Sequence, residues 1–325
     1  MWKKTLLSAL CVATLAFGAA FTGTANAAYP DRPIKLIVPF GPGGSSDIGA
    51  RILATHLAKQ LKTDIPVVNI YGASGFAGTL QAAEAKPDGY TLLWHLPTFM
   101  TSYHTGVSRI TWCDMAPVAR VQQFYEVLVV PSDAPWKTVD ELVADAKANP
   151  GKINWGTNIG AGIHFMALDF ADATGTVGKW NYVAAGGDEK LIKELLGKHI
   201  DVGGLADMVV VQHVKNGSLR ALGAFTDERL ASFPDLPTFK EMGINSSFIF
   251  DCTLYAPKGT DPAVLKTLQD AIKTVSENPE YIKELEGQFL TPAYLDGQAL
   301  NDMLLDQDVK FYKFSRLGNL IPPRK

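Results

Sequence analysis

Ile34, Leu36, Ile37 and Val38 make a short apolar stretch ending in Pro39-Phe40-Gly41-Pro42-Gly43-Gly44-Ser45-Ser46-Asp47, after which Ile48, Ile52, Leu53 and Leu57 recur at the spacing of one helix face. This reads as a strand, a glycine-rich turn and a helix. The pattern returns: residues 66–70 are followed by Gly72-Ala73-Ser74-Gly75-Phe76-Ala77-Gly78 and a helical stretch at 79–85, and residues 90–94 form a third strand after the turn Lys86-Pro87-Asp88-Gly89. Strand character covers 118–130. Thr138 and Glu141 then stand in capping-box spacing at the start of a helix over 139–148. Residues 153–157 lead through Asn158-Ile159-Gly160-Ala161-Gly162 into a helix at 163–173, and 180–183 lead through Ala184-Ala185-Gly186-Gly187-Asp188 into one at 189–196. A strand around 200–202, a helix at 207–215 and a strand at 219–225 follow. Short strands alternating with helices predict an α/β fold with mixed, mainly parallel sheets, whose ligands lie at the strands' carboxyl ends. Residues 262–314 read as a mostly helical, solvated outer layer rich in Lys and Glu.

The first residues change the setting. Lys3 and Lys4 precede a stretch that is apolar or small up to residue 21, and Ala25-Asn26-Ala27 has the small-x-small form of a signal-peptidase site. Residues 1–27 are therefore read as a signal peptide cleaved after Ala27, with the mature chain in the periplasm. Without Lys3 and Lys4 the 30 basic residues fall to 28 against 33 acidic ones, a formal charge of −5 that disfavours nucleic acid as a partner. Later in the chain no run of about 18 apolar residues predicts a membrane span. Only Cys113 and Cys252 remain after processing; they read either as a bridge or as two buried thiols.

The glycine turn at 41–46 has two readings. One is an ordinary strand-to-helix turn with Ser45 or Ser46 as cap; the other is an anion site built from main-chain N–H groups at a helix start. It is not a nucleotide P-loop, since no Lys-Ser or Lys-Thr follows, and it lacks dinucleotide spacing. No Gly-x-Ser-x-Gly elbow occurs, and the six histidines lack zinc-type spacing, so no enzyme, metal or cofactor is expected. Arg51 reads as a structural ion pair.

The run from Tyr29-Pro30-Asp31-Arg32-Pro33-Ile34 through Ser46-Asp47 resembles the mature start of substrate-binding proteins of tripartite tricarboxylate transporters, the Bug proteins. So do Lys86-Pro87-Asp88-Gly89-Tyr90-Thr91-Leu92-Leu93, Asn216-Gly217-Ser218-Leu219-Arg220-Ala221-Leu222, Phe233-Pro234-Asp235-Leu236-Pro237-Thr238 and Tyr255-Ala256-Pro257-Lys258-Gly259-Thr260. The resemblance implies a type 2 periplasmic binding protein, monomeric, with two α/β domains about an interdomain ligand cleft. It places domain 1 at 28–128 and 252–325 and domain 2 at 129–251. It also implies a small carboxylate as ligand, a class that spans di- and tricarboxylates, amino acids and aromatic acids, and small and large integral membrane transporter subunits as partners.

The site residues that it implies are Phe40, Gly41, Gly43, Gly44, Ser45, Ser46 and Asp47 in the first loop, and Thr157, Asn158, Gly160, Ala161 and His164 in the second. Thr98 and Phe99 follow the third strand. Ala185, Gly186 and Gly187 stand where relatives often read Pro-Tyr-Lys-Gly-Ser, with loss of bulk and a cation, and Asp207 is nearest to the family's acidic position. The missing cation and the added Asp188 argue against citrate and for a mono- or dicarboxylate with an uncharged or aromatic body, walled by Phe99, Trp155 and Trp180 if they point inward. A periplasmic sensor subunit reporting a carboxylate to a two-component kinase is the alternative role.

Overall fold

A computed structural model describes residues 29–320. The first sheet is built from β1 (Lys35–Val38), β2 (Val67–Asn69) and β3 (Thr91–His95), each followed by a helix or helical turn on the way to the next strand. Helices α1 (Ser45–Leu61), α2 (Phe76–Ala83) and α3 (Thr98–His104) make these connections. β4 (Met115–Pro131) then runs for 17 residues into a second sheet. That sheet is laid down by α4 (Val139–Ala148), β5 (Asn154–Thr157), α5 (Gly162–Thr174), β6 (Asn181–Ala184), α6 (Asp188–Leu196), β7 (Val202–Ala206), α7 (Asp207–Lys215) and β8 (Leu219–Ala224). β9 (Ile249–Pro257) returns the chain to the first sheet, and α8 (Pro262–Ser276), α9 (Pro279–Glu286), β10 (Thr291–Leu295) and α10 (Gly297–Leu317) complete it.

The strand order is β2-β1-β3-β9-β4-β7-β5-β6, with β8 and β10 also paired to β4. Pairing is parallel among β1, β2 and β3 and among β5, β6 and β7, and antiparallel wherever β4 or β9 takes part. β4 joins the two sheets by exchanging partners: Tyr125 is its last residue opposite β9, and Glu126 is its first opposite β7. Because strand side chains alternate, Leu128 and Val130 enter the larger apolar core and Val127 and Val129 the smaller one, with Leu191, Leu195 and Leu205.

Local chemistry explains the helix that the sequence reads most sharply. Thr138 Oγ1 accepts from the Glu141 N–H and Glu141 Oε2 from the Thr138 N–H, both at 3.3 Å, so α4 begins where its capping box stands. The C-terminal stretch departs from the expected solvated layer. β10 pairs with β4, and Leu300, Leu304, Phe311 and Phe314 of α10 are buried. Lys310 lies 3.3 Å from Asp169 of α5 and donates to the Ser247 carbonyl at 3.0 Å, so α10 braces both sheets. The Asp, Lys and Arg residues of α10 mask its buried stripe in the composition.

Cys113 and Cys252 are both free thiols, Cys113 exposed and Cys252 buried, so the bridge is absent. Among the described residues no helix is long and apolar enough to cross a membrane. The signal-peptide reading falls on residues 1–27, outside those described.

Candidate functional site

A cavity of about 530 Å³ opens between the sheets where their strands end. On one side are the loop after β1, the turn 71–75 and the loop after β3; on the other are the loops leading into α5 and α6. Phe124 and Glu126 of β4 and Phe250 of β9 form the strand wall between them.

The first loop is held from behind. Asp47 is buried, and its carboxylate accepts from the Gly43 N–H at 2.9 Å, Arg51 Nε at 2.9 Å and Asn69 Nδ2 at 2.8 Å. Burial raises the Asp47 pKa, but these hydrogen bonds outweigh it and hold the group below the usual carboxylate range. Asn69 also donates to the Phe40 carbonyl at 3.1 Å, and Gly43 has φ +82°, a left-handed conformation that glycine adopts without strain. Gly44, not a serine, is the N-cap of α1, and no side chain caps that helix. The two serines lie inside the first turn: Ser46 Oγ accepts from Trp94 Nε1 at 2.9 Å, and Ser45 is hydrogen-bonded to Asp188 across the cavity. A Cβ added at Gly41 or Gly44 would meet nothing within 4 Å, so this backbone faces open space.

The second loop is built alike. His164 Nδ1 accepts from the Gly160 N–H at 3.2 Å, and burial lowers its pKa to about 4, so the ring is neutral at pH 7. Gly160, at φ +82°, turns the chain so that Ala161 becomes the N-cap of α5, again without a side-chain cap. Thr98 Oγ1 accepts from the Gly162 N–H at 3.2 Å and joins the loop after β3 to this helix start. The start of α6, behind Gly187, is uncapped as well. Helix starts lacking caps leave donors and positive dipole ends for an anion.

The strand wall has the opposite character. Glu126 is 1% exposed, and burial followed by the charges of Asp188 and Asp207 pushes its pKa well above the carboxylate range. Burial likewise lifts Asp188 to about 6, against hydrogen bonds from the Ala206 N–H and Ser45. Phe124 and Phe250 stack with centroids 5.0 Å apart and offer an apolar face.

A profile of the family described as "Tripartite tricarboxylate transporter family receptor" matches residues 49–318. The chain belongs to that family. It is 34% identical over 294 residues to a protein from the gbd 5′ region of Cupriavidus necator, covering 89% of each chain. Among solved structures, the periplasmic binding protein BugD superposes with a TM-score of 0.79 at 26% identity, over 90% of this chain and 99% of that one. A TctC solute-binding protein from Polaromonas gives 0.70 at 31% identity, over 89% and 99%. The fold is accordingly that of the periplasmic binding proteins, and the chain is a solute-binding receptor and not an enzyme.

With the tricarboxylate-receptor fold established, each expected residue has a place. Phe40, Gly41, Gly44, Ser45, Ser46, Thr98, Asn158, Ala161 and Gly187 line the cavity. Gly43, Asp47, Gly160 and His164 stand one layer behind and shape the loops. Thr157 ends β5 with its hydroxyl buried and unpartnered, Ala185 belongs to the smaller core, and Gly186 turns at φ +84°. Asp207 lies on a second cavity of about 610 Å³ with Tyr125 and Ser232, whose hydroxyl it accepts.

The expected aromatic walls are corrected. Phe99 stacks on His95 at 4.8 Å, and Trp155 packs against Trp180 at 5.0 Å and Phe170 at 5.6 Å; all are core. Phe99 lies in α3, and Trp155 near the start of β5 and Trp180 just before β6 stand at the end of those strands opposite the cavity loops. The walls are instead Phe124 and Phe250, and with them Glu126 escaped the sequence reading. The signal available was the two-residue alternation Phe124, Glu126, Leu128, which puts one acid in an otherwise apolar row.

Proposed function

We propose that this receptor captures a small mono- or dicarboxylate, aliphatic or aromatic, between two lobes and hands it to small and large integral membrane subunits of a secondary transporter. The lobes correspond to residues 28–128 with 252–325 and to residues 129–251; the change of partner along β4 from β9 to β7 supports this division. Export after Ala27 and a monomeric state belong to the same reading.

The observation that carries it is the convergence of uncapped helix starts, α1 behind Gly44 and α5 behind Ala161, on one cavity. Main-chain amides there bind a carboxylate without any arginine. Arg51 is spent on Asp47 and Asn69 instead. The Phe124 and Phe250 faces suit an apolar body, and the acidic strand wall opposes a tricarboxylate, since each extra carboxylate would need a desolvated partner of its own.

A thermal-shift and calorimetry panel tests this. Mono- or dicarboxylates should bind, and Gly44→Pro should abolish binding by removing an amide. Tight citrate binding with no response to smaller or aromatic acids would overturn the ligand class. Scattering curves that are identical with and without saturating ligand would overturn closure of the lobes.

A further inference from the structure

Glu126 has no structural occupation. It shares a face of β4 with Leu128 and Val130, where a leucine would serve a purely structural need, yet it is buried, lines the cavity, and its Oε2 has no hydrogen-bond partner among the described residues. Its charged neighbours are Asp188 at the start of α6 and Asp207 at the start of α7. Among the described residues no Lys or Arg forms an ion pair with any of these three acids. Glu189, on the same cavity, is exposed. Met166 of α5 reaches over Gly204, beside which Glu126 Oε2 lies, and Phe124 and Phe250 flank it in the cavity wall. His164 of α5 is turned to Gly160, and Lys190 is exposed on the cavity lining.

We propose that Glu126 is a ligand-binding, specificity-determining residue that takes a cationic nitrogen, so that the solute is an aminocarboxylate held by its carboxylate at the helix starts and by its ammonium at Glu126. This rests on the carboxylate reading above and replaces the expectation of an uncharged body. A neutral hydroxyl or amide donor would leave the carboxyl protonated, because an ionised Glu126 would face Asp188 uncompensated; a cation both occupies Oε2 and compensates the charge. The free site holds a proton on the strand wall. When the ammonium enters, Glu126 ionises and the proton passes to solvent, so affinity for an aminocarboxylate rises with pH.

The test is calorimetry on the mature protein with matched probes: γ-aminobutyrate against butyrate, and para-(aminomethyl)benzoate against para-toluate. The amino member of at least one pair should bind about tenfold or more tighter, with proton release read from buffers of different ionisation enthalpy. In Glu126→Gln and Glu126→Leu the preference and the proton release should vanish, while the ligand-free variants melt at or above the wild-type temperature. Equal affinities within both pairs, or a preference that persists in folded Glu126→Gln, would overturn the assignment. A lower melting temperature of both variants would mark Glu126 as structural and overturn it too. If Gly44→Pro leaves binding of both members intact, the carboxylate reading fails while the Glu126 preference stands; if no probe binds, both fail.

Discussion

Thr98 Oγ1 and the Gly162 N–H, 3.2 Å apart, tie the loop after β3 of the first sheet to the start of α5 over the second. Thr98 is buried, and a Cβ at Gly162 would press on Phe250 at 2.9 Å and on Thr98 at 3.3 Å, so the two loops meet closely. Thr98→Val keeps the shape and removes the acceptor, leaving the amide unpaired whenever the loops meet, at about 1–2 kcal/mol. The expected outcome is a larger radius of gyration without ligand and roughly five- to tenfold weaker binding. Unchanged scattering and affinity would count against this joint.

Asp47 and Arg51 differ in burial, and the variants should differ accordingly. Asp47→Ala strips the acceptor from Gly43, Arg51 and Asn69 at a side chain only 5% exposed, and should cost about 2–3 kcal/mol. Arg51→Ala, at a side chain 50% exposed, should cost under about 1 kcal/mol and leave ligand affinity nearly intact. The folded Asp47 pKa is depressed, so its stabilisation is present above the unfolded carboxylate value of about 3.9 and is lost as pH falls through the folded one. Denaturant unfolding at neutral and acidic pH should show the wild-type advantage over Asp47→Ala shrinking in acid.

Asp188 and Asp207 carry the reverse sign. Burial raises both to about 6, so the folded protein holds protons that the unfolded chain releases. Their effect on stability is neutral below about pH 4 and becomes a cost as pH rises through about 6. Ligand-free Asp188→Asn should therefore exceed wild type by about 1–2 kcal/mol at pH 8 and match it near pH 4. A constant difference across that range would refute the assignment.

The thiols should separate by exposure. One, Cys113, should react with a small thiol reagent in the native mature protein, and both after denaturation without reductant. Burial and then Asp308 and Asp114 raise the Cys113 pKa, so its rate should keep climbing above the usual thiol range. No reactive thiol in the denatured, unreduced chain would contradict the two free cysteines.

Much of the scaffold was legible because its causes are local. The bounds of α4 and α7 follow from residues within a few positions: the Thr138 and Glu141 box for one, and Asp207 through Lys215 for the other. The glycine turns before α1, α5 and α6 were legible too, since a strand's end, a turn and a helix's start are written in one short stretch. β10 was missed because Thr291-Pro292-Ala293-Tyr294-Leu295 has little alternation of its own and becomes a strand by pairing with β4. The buried stripe of α10 was hidden among its charges.

Taken alone, the order of strands, glycine turns and helices determined an α/β fold with candidate ligand loops at the strand ends, because backbone conformation there is a short-range matter. Which side chains look at one another was decided only by the tertiary structure. Phe99 lies in α3 just past β3, and Trp155 and Trp180 at the amino-terminal ends of β5 and β6, where neighbouring aromatics absorb them into the core. Phe124, Glu126, Asp188 and Phe250 come from β4, α6 and β9, far apart in the chain, and line one cavity because β4 passes from one sheet into the other at Tyr125 and Glu126. A carboxylate's environment is a sum over groups brought from those distant segments, and that sum exists only once the sheets are joined.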